Sequence, residues 1–298
     1  MTSESQAPAT EAHHLRGIGW IVVSTLCFAT EDSIAKWLGS EIDPIQVLFV
    51  YGLVLLAWAV AGAARRGGAA ALVHLRVRRP WLLMLRSLVL LGTFLAFIYG
   101  VVLLPLADAV AISFTTPLLA TVLAAVVLKE QVALRQWLAV ATGLVAVVWM
   151  VQPGAGVMSA GAAWMLLSAL LAAIDILLTR VLTRSESNTT IVLALAVTFV
   201  VVLGAAVPFV WQPLTLIDIG LIIAMGTAGV GAQASFAQAY RRAPPQVLAP
   251  FDYLMLVWGV LFGFVIWREW PTPDVMAGAV VLILVGLYLA RAEARAQD

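Results

Sequence analysis

Among the carboxylates set in apolar stretches of this chain, four could do chemistry: Glu31 and Asp32 together, Asp175, and Asp252. An ionisable side chain near the middle of a membrane-length run costs about 2.5–3.5 kcal/mol on insertion scales, so it needs a partner or a water-filled path. The chemistry open to such a carboxylate is binding of an ammonium-type cation or of a proton. Asp32 and Lys36 stand i, i+4 apart, a spacing that suits an ion pair on one helix face. Glu31 falls on another face, seven residues beyond Ser24, where Lys36 does not satisfy it. Ser168 and Asp175 repeat this i, i+7 spacing, with Arg180 beyond. Glu31 and Asp175 therefore read either as related polar elements of a cavity or as ion pairs with Lys36 and Arg180. Asp252, between Phe251 and Tyr253, has no basic residue within a helical turn.

Uncharged candidates accompany them. Gln233 and Gln238 are donors and acceptors deep in an apolar run, suited to a polar ligand or to bonds between helices. Tyr99 stands opposite Gln238 in the internal repeat described below. Trp20 and Trp164 are also repeat-related and could stack on a planar or cationic solute. Trp81, Trp211, Trp267 and Trp270 fall where interfacial anchors belong. Pro117 and Pro250 lie inside apolar runs, where proline removes a backbone donor and kinks a helix; Pro208 reads as a packing kink. Ser113, Thr115 and Thr116 are candidate cavity hydroxyls.

These residues need long apolar elements to hold them. The chain has 298 residues, 63% of them hydrophobic and 11% charged, with a mean hydropathy of +1.02. A soluble domain is about 25% charged, so the expectation is an all-α integral membrane protein. Runs near the roughly 20 residues needed to cross the hydrocarbon core cover 17–37, 44–63, 81–103, 106–128, 133–151, 158–182, 189–211, 218–240, 245–267 and 273–291. Ten transmembrane helices are therefore expected, with a disordered tail over 1–15 and a short tail over 292–298. With the N-terminus inside, every Lys and Arg except Lys36, Arg86 and Arg268 falls on inner segments. The rule that cytoplasmic loops are basic then puts both termini in the cytoplasm, in a multi-pass protein of the cell (inner) membrane.

The chain repeats itself. Sliding by 139 residues places Pro105 on Pro244, Phe114 on Tyr253, Lys129 on Arg268 and Glu130 on Glu269. Sliding by 144 places Gly17 on Gly161, Trp20 on Trp164, Ser24 on Ser168, Glu31 on Asp175 and Lys36 on Arg180. Five runs per half is an odd number, so the halves, 16–151 and 158–291, insert in opposite directions. Inverted repeats of this kind build carriers with two access states. Glu130 and Glu269 each end an apolar run after a basic residue and read as helix caps or as local pairs with Lys129, Arg135 or Arg268.

This pattern, a proline and small residues in a helix that ends at a basic–acidic pair, twice over, resembles the ten-helix EamA branch of the drug/metabolite transporter superfamily. The resemblance covers about residues 17–291. It implies transport of a small organic solute such as an amino acid, riboflavin, S-adenosylmethionine, a metallophore, a nucleoside or a cationic drug.

Much is excluded. No GxxxxGK[ST] loop is present. His13, His14 and His74 lie outside the runs, so neither a metal site nor a histidine-activated nucleophile is expected, and no enzyme or cofactor is either. A net charge of +1 with no basic arm argues against nucleic acid. The functional expectation is a secondary transporter leaning to export of amino acids or amino-acid-like metabolites. The alternative within transport is uptake of riboflavin or S-adenosylmethionine; from another class comes a non-transporting scaffold or regulatory subunit. The expected substrate-binding set is Glu31, Asp175, Asp252, Gln233, Gln238, Tyr99, Trp20 and Trp164. Partners are the solute and the bilayer, with a proton as candidate coupling ion, in a monomer or homodimer.

Overall fold

The computed structural model describes residues 7–67, 77–127, 129, 134–151, 157–183 and 185–297, all helix and connecting turns. With no water in the hydrocarbon core, backbone groups must bond within their own segment, which the α-helix alone achieves in single spans. In chain order these are α1 (Ala7–Glu41), α2 (Pro44–Gly67), α3 (Pro80–Leu103), α4 (Leu106–Ser113), α5 (Thr116–Val127), α6 (Leu134–Val151) and α7 (Val157–Leu182). They are followed by α8 (Asn188–Thr198), α9 (Leu216–Tyr240), α10 (Pro245–Asp252), α11 (Leu254–Phe262) and α12 (Pro273–Gln297). π turns extend α8 over Phe199–Leu203 and α11 over Gly263–Trp267. Helix α1 already begins at Ala7, inside the stretch expected to be a disordered tail, and α12 runs on to Gln297.

Among the described residues, eight helices are long and apolar enough to cross a membrane, and two apolar stretches, Trp137–Met150 and Pro273–Val285, are shorter. Their outer faces carry large apolar side chains, among them Trp81, Trp149 and Leu284, as lipid contact requires. Proline opens α2, α3, α10 and α12, at positions whose N–H would have no helical partner anyway.

The two largest helix contacts, α1 on α9 and α3 on α7, are built alike. The Ser24 hydroxyl donates to the Ala232 carbonyl at 2.9 Å, and Ser168 donates to the Thr93 carbonyl at 3.0 Å. A Cβ on Gly17 would lie 2.7 Å from Ala243, and one on Gly161 would lie 2.8 Å from Leu104. Every residue in one set maps onto its counterpart by a shift of 144 or 139 residues. One apolar core gathers α3, α4, α6, α7 and α12, the other α1, α2, α3, α8 and α9. Each core therefore draws on both halves of the sequence.

Candidate functional site

The fourth and ninth runs are each interrupted at matching places. Helices α4 and α10 are both eight residues long, begin after Pro105 and Pro244, and end at Phe114 and Tyr253. Pro117 has no N–H to offer the Ser113 carbonyl and its ring crowds that turn, so the helix stops and restarts at Thr116. Pro117 thus sits at the start of α5, one turn past the break, instead of kinking a continuous helix. The matching residue in the second half is Leu256, and Pro250 lies inside α10, before its break. The two break residues meet: the Phe114 and Tyr253 rings stack with centroids 5.1 Å apart and planes 24° apart.

Beside this stack lies a cavity of about 230 Å³. Ser113, Phe114, Thr116 and Pro117 form one wall, Val110 and Met255 add apolar surface, and Asp32 of α1 supplies the charge. Sequence spacing suggested that Lys36 would neutralise Asp32. It does not, because Lys36 turns away and donates to both carboxylate oxygens of Glu269, at 2.7 and 2.5 Å, and to the Leu104 carbonyl at 2.8 Å. Among the described residues no cationic side chain forms an ion pair with Asp32.

Glu31 itself is 5% exposed. It accepts a 2.7 Å hydrogen bond from the Tyr51 hydroxyl and presses on α9 where a Cβ on Gly229 would fall 2.7 Å from its Oε1. Asp175 is not paired with Arg180. The Arg86 Nε lies 2.8 Å from its Oδ1, and Thr179 bonds both partners. No spacing rule in the sequence links Arg86 to a residue 89 positions away.

Glu269 was expected to pair locally, yet its partner lies 233 residues away. Arg268 adopts a left-handed conformation (φ 60°) that ends the helix, turning Glu269 back to accept from the Leu106 N–H at 3.1 Å. A carboxylate at a helix N-terminus is favoured by the unpaired N–H groups there. Lys129, the repeat counterpart of Arg268, has φ 55°; Glu130 lies outside the described residues. Lys36 also lies over the Trp267 ring at 4.8 Å, so Trp267 is part of this cluster and not a free interfacial anchor. Asp108 completes it. The side chain is fully buried with neither oxygen in a hydrogen bond of ordinary geometry, and Lys36, Glu269 and the Thr272 backbone are the polar groups around it.

The remaining candidates divide. The Tyr99 and Trp164 rings lie 5.3 Å apart, tilted by 34°. Gln238 accepts from Arg242 through both its side-chain and backbone oxygens, and Arg242 lies over Trp20 at 5.7 Å. Gln233 is exposed on α9. Asp252 is half-buried at the end of α10, next to the break residue Tyr253. Of the expected set, Glu31 is closest in sequence to the cavity, but Asp32 is the acid that lines it.

The sequence matches the model of the EamA-like transporter family over residues 15–152 and again over 159–292. The chain belongs to that family. This multi-pass EamA-like transporter is 26% identical to the S-adenosylmethionine uptake transporter of Rickettsia bellii (strain RML369-C), over 95% of its own length and 96% of the relative's. It is 26% identical to the riboflavin transporter of Rhizobium johnstonii (strain DSM 114642 / LMG 32736 / 3841), over 94% and 92%. A solved crystal structure covers 95% of the transporter and 99% of its own chain with a TM-score of 0.62; at 18% identity this likeness shows the fold alone.

Proposed function

We propose that the protein is a secondary carrier that moves a small organic solute by alternating access between two inverted five-helix repeats, 16–151 and 158–291, making ten spans in all. In this reading both termini are cytoplasmic and the membrane is the inner one. The observation that carries it is the pair of matched helix breaks whose residues, Phe114 and Tyr253, stack beside a cavity with an uncompensated acid. Irregular backbone at membrane depth is tolerated where it lines a cavity, and discontinuous helices at a repeat interface are where carriers bind substrate. Asp32 joins Asp252, Gln233 and Tyr99 as a candidate contact to the solute, with Glu31 as a candidate site for a coupling proton.

The names of the relatives favour uptake of an S-adenosylmethionine- or riboflavin-type solute over export of amino acids. Counterflow in proteoliposomes tests this. Vesicles preloaded with S-adenosylmethionine, riboflavin or amino acids are diluted into label, and accelerated entry for one solute is expected. Absence of exchange with every solute would favour the scaffold reading. A pH gradient applied to wild type and Glu31→Gln then tests coupling: the variant should keep counterflow and lose the gradient's effect.

A further inference from the structure

The charged groups in the apolar interior do not balance. Among the described residues, Lys36 is taken by Glu269 and Arg86 by Asp175. Arg242 is engaged with Gln238 and Trp20. Asp108 has only Lys36, already held by Glu269, in its surroundings, and among the described residues Glu31, Asp32 and Asp252 remain with no cationic partner at all. A buried carboxylate without a counter-charge is costly unless a cation or a proton joins it. The three differ in access. Glu31 is closed off by Tyr51 and by the backbone of α9 at Gly229. Asp252 belongs to no wall of the cavity, whereas Asp32 lines it.

The other polar groups of that wall point to the same ligand chemistry. The Ser113 hydroxyl donates its proton to the Ala109 carbonyl at 3.1 Å, leaving its lone pairs as acceptors. The Phe114 ring, stacked on Tyr253, also lines the cavity, and an aromatic ring attracts a cation placed over its face. No basic side chain lines this cavity. A carboxylate, a hydroxyl acceptor and an aromatic face together suit a positively charged group; a neutral or anionic one would leave Asp32 unmatched. Pockets for drug-sized ligands run to about 300–1,000 Å³, so a cavity of about 230 Å³ suits a small head group.

We propose that the transporter selects its solute by positive charge: a compact cationic head, of the ammonium or sulfonium type, seats between Asp32 and the Phe114 ring. This rests on the carrier reading and narrows it to a substrate class. Neutral solutes of the same shape bind more weakly because they leave the Asp32 carboxylate desolvated and unpaired.

The test measures equilibrium binding to the full-length protein in nanodiscs, using two pairs of probes that differ in charge and little in shape. One pair is S-adenosylmethionine and S-adenosylhomocysteine; the other is choline and 3,3-dimethyl-1-butanol. The cationic member of at least one pair is expected to bind about tenfold or more tightly, and Asp32→Asn to bring the pair within about twofold. Asp32→Glu, which keeps the charge, should keep the preference, and it still decides the matter if the asparagine variant fails to fold. Equal binding within both pairs, no binding of either cation, or a preference that survives in Asp32→Asn would overturn the proposal. If Asp32 serves only a proton, both pairs bind equally, which counts against it as well. Counterflow of riboflavin or another neutral solute alongside such a result would leave the carrier reading standing and remove only the charge selectivity.

Discussion

Glu31 and Asp175 occupy the same position in two copies of one pattern, seven residues beyond a serine that holds the neighbouring helix. Their surroundings have parted. Asp175 has a guanidinium at 2.8 Å and a threonine bridging the pair. Glu31 has a tyrosine hydroxyl, and its neighbour Asp32 replaces what is Ile176 in the other copy. The scaffold bonds are preserved in both halves while charge is neutralised in only one. The packing is alike in the two stretches, whereas of the two matched acids only Asp175 has a cationic partner.

The largest expected effect tests whether Asp175 is scaffold. Removing one member of a buried ion pair costs about 3–5 kcal/mol, whereas replacing both by apolar residues is often neutral. Arg86→Met alone should therefore lower the thermal midpoint sharply. Combining it with Asp175→Leu should recover most of the stability and leave counterflow intact. A double variant that is stable but transports nothing would make Asp175 a solute contact and dissolve the contrast with Glu31. Lys36→Met comes next, at about 2–3 kcal/mol because Glu269 is partly solvated. It should be partly rescued by Glu269→Gln, read by thermal unfolding of the purified protein.

Tyr51→Phe sharpens the other side of the comparison. A hydrogen bond to a charged group contributes about 1.5–3 kcal/mol, and a neutral one about 1 kcal/mol. The size of the loss therefore reports the charge state of Glu31. A midpoint shift matching about 1 kcal/mol would indicate a protonated carboxyl, and a shift near twice that an ionised one. The effect on flux should exceed that of Thr179→Val, since Thr179 only bridges a pair that Arg86 already neutralises.

What the sequence reveals follows the range of the forces involved. Helices come from hydrophobic run length, so the apolar runs appear as helices, but the breaks that end α4 at Phe114 and α10 at Tyr253 inside single apolar runs carry no such signal. Nor do the ion pairs. Asp32 and Lys36 satisfy a local rule that tertiary packing overrides, because the left-handed turn at Arg268 delivers Glu269 to Lys36 from the far end of the chain. Asp32 therefore lines the cavity without the lysine that its spacing predicts, while Glu31 is bonded to Tyr51. Arg86 gave its sign away as a basic residue in an apolar run, but nothing in its neighbourhood names Asp175. Asp108 carries no local signal either, because one acid in the first turn of a helix looks like an ordinary N-terminal residue.

The smallest effect tests the half of the comparison that should show no difference. Ser24 and Ser168 donate to the backbone of the partner helix at 2.9 and 3.0 Å, and both are buried. Interhelical hydrogen bonds in membranes average about 0.6 kcal/mol, so Ser24→Ala and Ser168→Ala should each lower stability by about that amount. The bonds lie on separate helix pairs, α1 with α9 and α3 with α7, so the double variant should show the sum of the two. Flux should fall equally little in both if these serines only hold helices together. A loss of transport confined to Ser24→Ala would mean that the α1–α9 contact moves during the cycle while α3–α7 stays fixed. The asymmetry seen in the acids would then extend to the scaffold.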